Sequence, residues 1–470
     1  MSDRNALVAT WICSLPENVA KDIGAPSITT KKRKRPPQLT SPPASVQEEM
    51  PSTPKKRRRM SATDPETTPR PRIPGSSIPR SNTAGSTTSS SHTSHISSRA
   101  SSPKKQMLNL RLHEPVLEFN ALSLNLNALP PAARELVEAM TEIGSNQDIL
   151  PHAAKSSIME SVNARDPMPR LWRYAFKSAE DDGDALLPRR IPCFREVEKI
   201  CRKANECQQY DHEEVSWNCS VHARLLELIL EDEDGRPCSE FDAMICTTVR
   251  LHPVWKPIWS PGKMIDICLY HISTSQDGNE DLHAKITQLS RLTPTGTINH
   301  TDFYPVSMRP IVLSIETKKP GVHWEAAQLQ IGIWHAAQWA FLRWAVVDKL
   351  RRQSINDNGQ GEGEGDGGNG IVDKSQAQAA EAVHDAIEVE VLSVMSKLGF
   401  IPGVIVQGHR WHLVLSTYED RKTKLWADRQ FGSTQTCLES YSVIAGIRRL
   451  TAWARDIYLP WFKLYILDND

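Results

Sequence analysis

Residues 310–334 read PIVLSIETKKPGVHWEAAQLQIGIW, and this stretch constrains the rest of the chain. Its first half alternates with a period of two. Ile311, Leu313, Ile315 and Thr317 point one way, and Val312, Ser314, Glu316 and Lys318 the other, which is the pattern of a β-strand. Glu316 and Lys318 share a face, about 7 Å apart along the strand. Pro320-Gly321 ends the strand, since Pro lacks a ladder donor and Gly frees the turn. A helical run containing Gln330 follows. A carboxylate and an ammonium on one face of an otherwise apolar strand are expensive to bury unless something compensates them. That compensation must come from elsewhere in the chain.

The 470 residues suggest one large domain plus a further segment, or two domains. The formal charge is zero but unevenly spread. Residues 1–106 hold 18 Lys and Arg against 7 Asp and Glu, and the remainder holds 38 against 49. Twelve of the 13 Trp follow residue 106, so the packed core is expected there. Residues 1–106 are expected to be a disordered, basic, Pro/Ser-rich tail, because their composition cannot bury enough apolar area to offset ordering entropy. The tail holds two basic clusters, Lys31-Lys32-Arg33-Lys34-Arg35 and Lys55-Lys56-Arg57-Arg58-Arg59. Such clusters read as nuclear-import signals, so a nuclear location and a partner in the import machinery are expected. The same charges would add salt-sensitive phosphate affinity. Nine Cys include no CxxC pair, and the Cys201/Cys207 spacing does not suit zinc, so reduced, mostly buried thiols are expected. No apolar run approaches the length of a membrane span, and the apolar stretch Leu7–Leu15 lacks the features of a secretory signal.

Along the rest of the chain, Leu129-Pro130-Pro131 opens a helix, and Phe194–Gln209 reads as another. The spacing predicts a stronger helix over Asp211–Asp232, with Trp217, Val221, Leu225 and Leu228 on its apolar stripe and Glu214 at the edge of that stripe. His222 on this helix is expected to be a core or capping histidine rather than a metal ligand. Lys263–His271 reads as a strand whose one acid, Asp266, shares a face with Met264, Cys268 and Tyr270. Residues 273–309 read as a polar insertion with a short helix at most. Residues 356–370 are expected to be a flexible, acidic, Gly-rich insertion between two helices. Gly403–Ser416 and Lys424–Gln430 read as two strands, and Gln435–Ile466 as terminal helix.

Asp266 on one strand and Glu316-x-Lys318 on another make a chemically coherent set. Mg²⁺ prefers oxygen ligands, commonly one or two carboxylates with water and phosphate. Asp266 and Glu316 supply the carboxylates, the Thr317 carbonyl offers a further oxygen, and Lys318 is placed to orient water or stabilise charge on phosphate.

These residues resemble the PD-(D/E)XK nuclease superfamily, and more closely the nuclease-like proteins of filamentous fungi. The resemblance is carried by EVSWNCSVHARLL at 214–226, KMIDICLY at 263–270, NHT at 299–301, PIVLSIETKKPG at 310–321, QLQIGIWHAAQW at 328–339, VQGHRWHL at 406–413 and LTAWARDIYLPWF at 450–462. It implies an α/β fold over residues 107–470: a restriction-endonuclease-like α/β/α core with a mixed central sheet and helical additions. It implies Asp266 and Glu316 as metal-binding acids, Glu214 as a supporting acid, Lys318 as the catalytic lysine, and Gln330 in a supporting or DNA-backbone role. The implied activity is hydrolysis of nucleic acid, DNA foremost, with Mg²⁺ or Mn²⁺. Two departures stand out: Ile265, not Pro, precedes Asp266, and the Asp266–Glu316 gap is long. The alternative is an inactive nuclease fold serving as a nuclear module that binds nucleic acid or protein.

Overall fold

The structure is a computed structural model. It describes residues 102–470 except 123–125, 180–189, 239, 259, 261–264, 273–279, 322–323, 360–373 and 469–470; the side chains of 356–359 and 374–380 are also left aside. Both basic clusters, residues 1–101 of the expected tail, and most of the Gly-rich insertion lie outside the described residues. The first described helix, α1 (Pro103–Leu112), crosses the boundary expected at residue 106.

Seven strands form one sheet: β1 (Leu117–Ala121), β2 (Phe241–Ile245), β3 (Ile267–His271), β4 (Ile311–Lys318), β5 (Phe400–Gln407), β6 (Arg410–Glu419) and β7 (Lys422–Ser433). Their order is β1-β7-β6-β5-β4-β3-β2. β1 pairs parallel with β7 and β4 parallel with β5, and every other pairing is antiparallel. The sheet is therefore mixed, as expected. β4 is interior, and every one of its residues but Lys318 is buried.

Helices α2 (Pro131–Gly144), α3 (Lys155–Arg165) and α4 (Phe194–Gln209) precede the run 214–230, here α5, which is α-helical at both ends with a π turn over Asn218–His222. The π turn shifts the apolar stripe. Trp217, Val221 and Leu225 are buried as expected, but Leu230 takes the inward place and Leu228 is only half-buried. Helix α6 (Glu280–Leu292) lies within the segment read as a polar insertion. Helices α7 (Trp324–Gly359) and α8 (Lys374–Leu398) form the expected pair, and α9 (Cys437–Trp453) continues helically to Leu467.

The connection from β4 to its parallel neighbour β5 needs a long crossover, and α7 with α8 supplies it. His335 Nδ1 and Trp339 Nε1 both meet Ser416 Oγ, at 3.0 and 2.9 Å, and so fix α7 to β6. The single strand expected over Gly403–Ser416 is instead a hairpin, β5 and β6, that turns at Gly408-His409. The next turn, Asp420-Arg421, holds both residues at positive φ, 50° and 61°, the two-residue geometry that matches strand twist. β1 and β2 were not read from the sequence.

The long segment between β3 and β4 is anchored by Asn299. Its Nδ2 donates to the carbonyls of Val306 (2.6 Å) and Arg309 (2.9 Å), and its Oδ1 accepts from Ile311 N–H (3.0 Å). Thr301 Oγ1 donates to the Arg250 carbonyl at 2.8 Å, and the His300 ring meets Trp334 edge-on at 4.6 Å. The hydrogen bonds of Asn299 and Thr301 therefore return the chain to the first residue of β4, while His300 Nε2 is buried without a hydrogen bond.

Candidate active site

Glu316 is the sixth residue of β4, paired in register with Ile405 of β5, and its side chain is 0% exposed. Neither of its carboxylate oxygens accepts a well-directed hydrogen bond. Lys318, the last residue of the strand, brings its Nζ to 2.5 Å from Glu316 Oε1 as an ion-pair contact, while donating to the Thr317 carbonyl at 2.6 Å. The same ammonium stands 3.4 Å from Glu214 Oε2 and 4.0 Å from Asp266 Oδ2. One cation thus gathers all three acids singled out from the sequence.

Asp266 sits in the bend just before β3 rather than within the strand, which begins at Ile267 and not at the expected Lys263; Met264 lies outside the described residues. Its backbone remains tied to the sheet: its N–H donates to the Ile315 carbonyl (3.3 Å), and its carbonyl accepts from Cys246 N–H (2.7 Å). Its Oδ2 accepts from both Thr317 N–H (2.8 Å) and Thr317 Oγ1–H (3.0 Å). Two donors fix that carboxylate to the end of β4. This role of the Thr317 hydroxyl was not anticipated, because strand alternation alone points Thr317 away from Glu316. The Thr317 carbonyl, expected as a metal ligand, accepts from Lys318.

Glu214 enters from the first turn of α5, where a negative charge suits the helix dipole. Beside it, Lys319 Nζ pairs with Glu213 Oε1 at 2.9 Å. Gln330 is half-buried on α7, while the contacts just described run through Glu214, Asp266, Glu316, Thr317 and Lys318.

The electrostatics follow from burial and crowding. Burial, then the charge of Asp266, pushes the Glu316 carboxyl well above the usual range, against the pull of Lys318. Burial likewise raises Glu214, with Lys318 opposing and Asp266 reinforcing. Burial alone would lower Lys318, but Glu316, Asp266 and Glu214 outweigh it and hold the ammonium above its ordinary value. One ammonium faces three carboxyl groups, and neither Glu316 oxygen accepts a well-directed hydrogen bond. That donor set fits a hard divalent cation, which takes few carboxylates and completes its shell with water and phosphate. Among the described residues, no group of three or more His, Cys, Asp or Glu side chains is arranged to hold a metal ion, so Asp266, Glu316 and Glu214 do not form a three-acid metal site as they stand.

A model of the PD-(D/E)XK nuclease superfamily matches residues 158–459, a span containing every site residue named above. The chain belongs to the PD-(D/E)XK nuclease superfamily. Searches of curated proteins and of solved structures return no match. The superfamily's restriction-endonuclease-like core is traced by α5, the antiparallel β2-β3-β4, the crossover through α7, and β5 beside β4. The acids lie on α5, before β3 and on β4, so the cluster is assembled across the core and not within one local motif.

Linkage sets the direction of a stability test. A carboxyl raised in the folded state favours folding while protonated and loses that advantage as pH rises through its folded value. Without added divalent metal, stability measured by urea denaturation in chelator should therefore fall from pH 5 to pH 8. Glu316→Gln should flatten that fall and be more stable than the parent at pH 8. A variant less stable than the parent at pH 8, with an unchanged pH profile, would show that Glu316 is satisfied by its neighbours.

Proposed function

We propose that this protein hydrolyses phosphodiester bonds in nucleic acid, DNA foremost, using a divalent cation, Mg²⁺ or Mn²⁺, at Asp266 and Glu316. The observation that carries this reading is Glu316, fully buried with no well-directed hydrogen bond to either oxygen and gathered with Asp266 and Glu214 around the Lys318 ammonium. Asp266 and Glu316 would hold the cation, with Glu214 supporting and the Thr317 carbonyl available once Lys318 moves. When bound, the cation supplies Lewis acidity toward the phosphate and lowers the pKa of a bound water.

The chain's own groups divide the remaining work. Thr317 holds Asp266 through two hydrogen bonds, so that carboxylate is oriented in advance. Lys318 keeps its proton and places positive charge where the phosphate oxygens gain negative charge, donating hydrogen bonds to them or to the attacking water. Glu214 holds the lysine side chain from the helix side. Gln330 is assigned a supporting contact with the nucleic-acid backbone.

The purified protein should cleave DNA with Mg²⁺ or Mn²⁺ and not in chelator. Lys318→Met and Asp266→Asn should each lower the rate by about 10²-fold or more while remaining folded. A folded parent that cleaves neither DNA nor RNA with either ion would defeat the catalytic reading. A mobility shift without cleavage would then favour the non-catalytic module.

The clusters Lys31–Arg35 and Lys55–Arg59 are assigned to nuclear import and to non-specific phosphate contact. A fluorescent fusion with both clusters changed to alanine should leave the nucleus. If it stays concentrated there, import does not depend on them.

A further inference from the structure

The helix that presents Glu214 contains a π turn, and π turns inside α-helices often mark functional positions. Residues 214 and 222 would diverge by about 80° around a regular helix. A π turn absorbs one residue, so the two sit as if seven apart, about 20° from eclipsed. His222 is thereby brought under Glu214, and its ring is fully buried. Trp217 stacks on it at 5.9 Å, and Trp411 meets it edge-on at 5.6 Å.

Both imidazole nitrogens are engaged. Nε2 lies 3.2 Å from the Gly408 carbonyl, and Nδ1 lies 3.0 Å from the Asn218 amide. As placed, Asn218 turns its oxygen to Nδ1 and buries an unpartnered Nδ2. Turning the amide over lets Nδ2 donate to Nδ1, leaving Nε2–H to donate to Gly408. That arrangement needs a neutral ring, and burial pushes His222 down to about 4.

Gly408 links this contact to the cluster. Its N–H donates to the Lys318 carbonyl at 2.8 Å. Its φ is +57°, and an added Cβ would lie 2.5 Å from Pro320 Cγ, so the turn is wedged against residues 318–320. The path closes on itself: Lys318 Nζ to Glu214, along the helix to His222, to Gly408, and back to the Lys318 backbone.

We infer that His222 is a positioning residue: through Gly408 it fixes the backbone of Lys318 relative to the helix that carries Glu214. Its catalytic consequence rests on the proposed function, but the geometric claim stands on its own and is read separately. His222→Gln keeps an amide nitrogen near the Nε2 position and can still donate to Gly408. His222→Asn reaches only the Nδ1 position, so it keeps the Asn218 contact and loses Gly408. Amide hydrogen exchange at Gly408 should accelerate about tenfold or more in His222→Asn and stay near the parent rate in His222→Gln, whether or not the protein cleaves DNA. In the Mg²⁺ assay, His222→Asn should lower kcat about tenfold or more with little change in KM for DNA, and His222→Gln should recover most of it. Equal exchange at Gly408 in parent, Gln and Asn proteins would overturn the inference, as would a His222→Gln protein that loses as much as His222→Asn. An inactive parent with the expected exchange difference would remove the proposed function and leave the positioning role intact.

Discussion

Glu316 brings a carboxylate into an interior strand of a seven-stranded sheet and gives it one neighbouring cation and no well-directed hydrogen bond. Isolated in a protein interior, such a group would take up a proton or destabilise the fold by several kcal/mol. Here the Lys318 ammonium lies against it, and Lys318 is in turn claimed by Glu214 and Asp266. The rest of the fold serves to bring those four side chains together. The crossover helices seat β5 beside β4, the antiparallel β2–β3 pair brings Asp266 to the strand end, and α5 supplies Glu214.

Long-range polar contacts do much of this aligning. Asn299 secures the first residue of β4 after the long insertion, and the two Thr317 donors secure Asp266 near its last. The His222–Gly408 contact ties α5 to the hairpin that abuts Lys318. Each lies outside the acids and the lysine, yet each decides where one of them stands. The charged cluster is thus positioned by ordinary buried hydrogen bonds around it.

What could be read from the sequence follows the length and regularity of each pattern. β4 was legible because eight residues alternate cleanly before Pro320-Gly321, and Phe194–Gln209 because its apolar spacing is regular. Glu214, Asp266, Glu316 and Lys318 were legible as charges on apolar faces. β1 and β2 escaped notice because each has five residues with a mostly half-buried pattern. The β5–β6 hairpin was read as one strand because only Gly408-His409 separates two continuous apolar runs. The π turn was invisible to a 3.6-residue period, which placed Leu228 inward in place of Leu230. Gln330 was reached through family resemblance, and its role stays with the proposal.

The most direct test of the account is anomalous diffraction from crystals of the full chain soaked in Mn²⁺. The account predicts a Mn²⁺ peak bonded to the carboxylates of Asp266 and Glu316, with Lys318 drawn away from Glu316, and loss of that peak in Asp266→Asn. Crystals in which Lys318 remains against Glu316, and no Mn²⁺ binds between the two acids at saturating concentration, would contradict it.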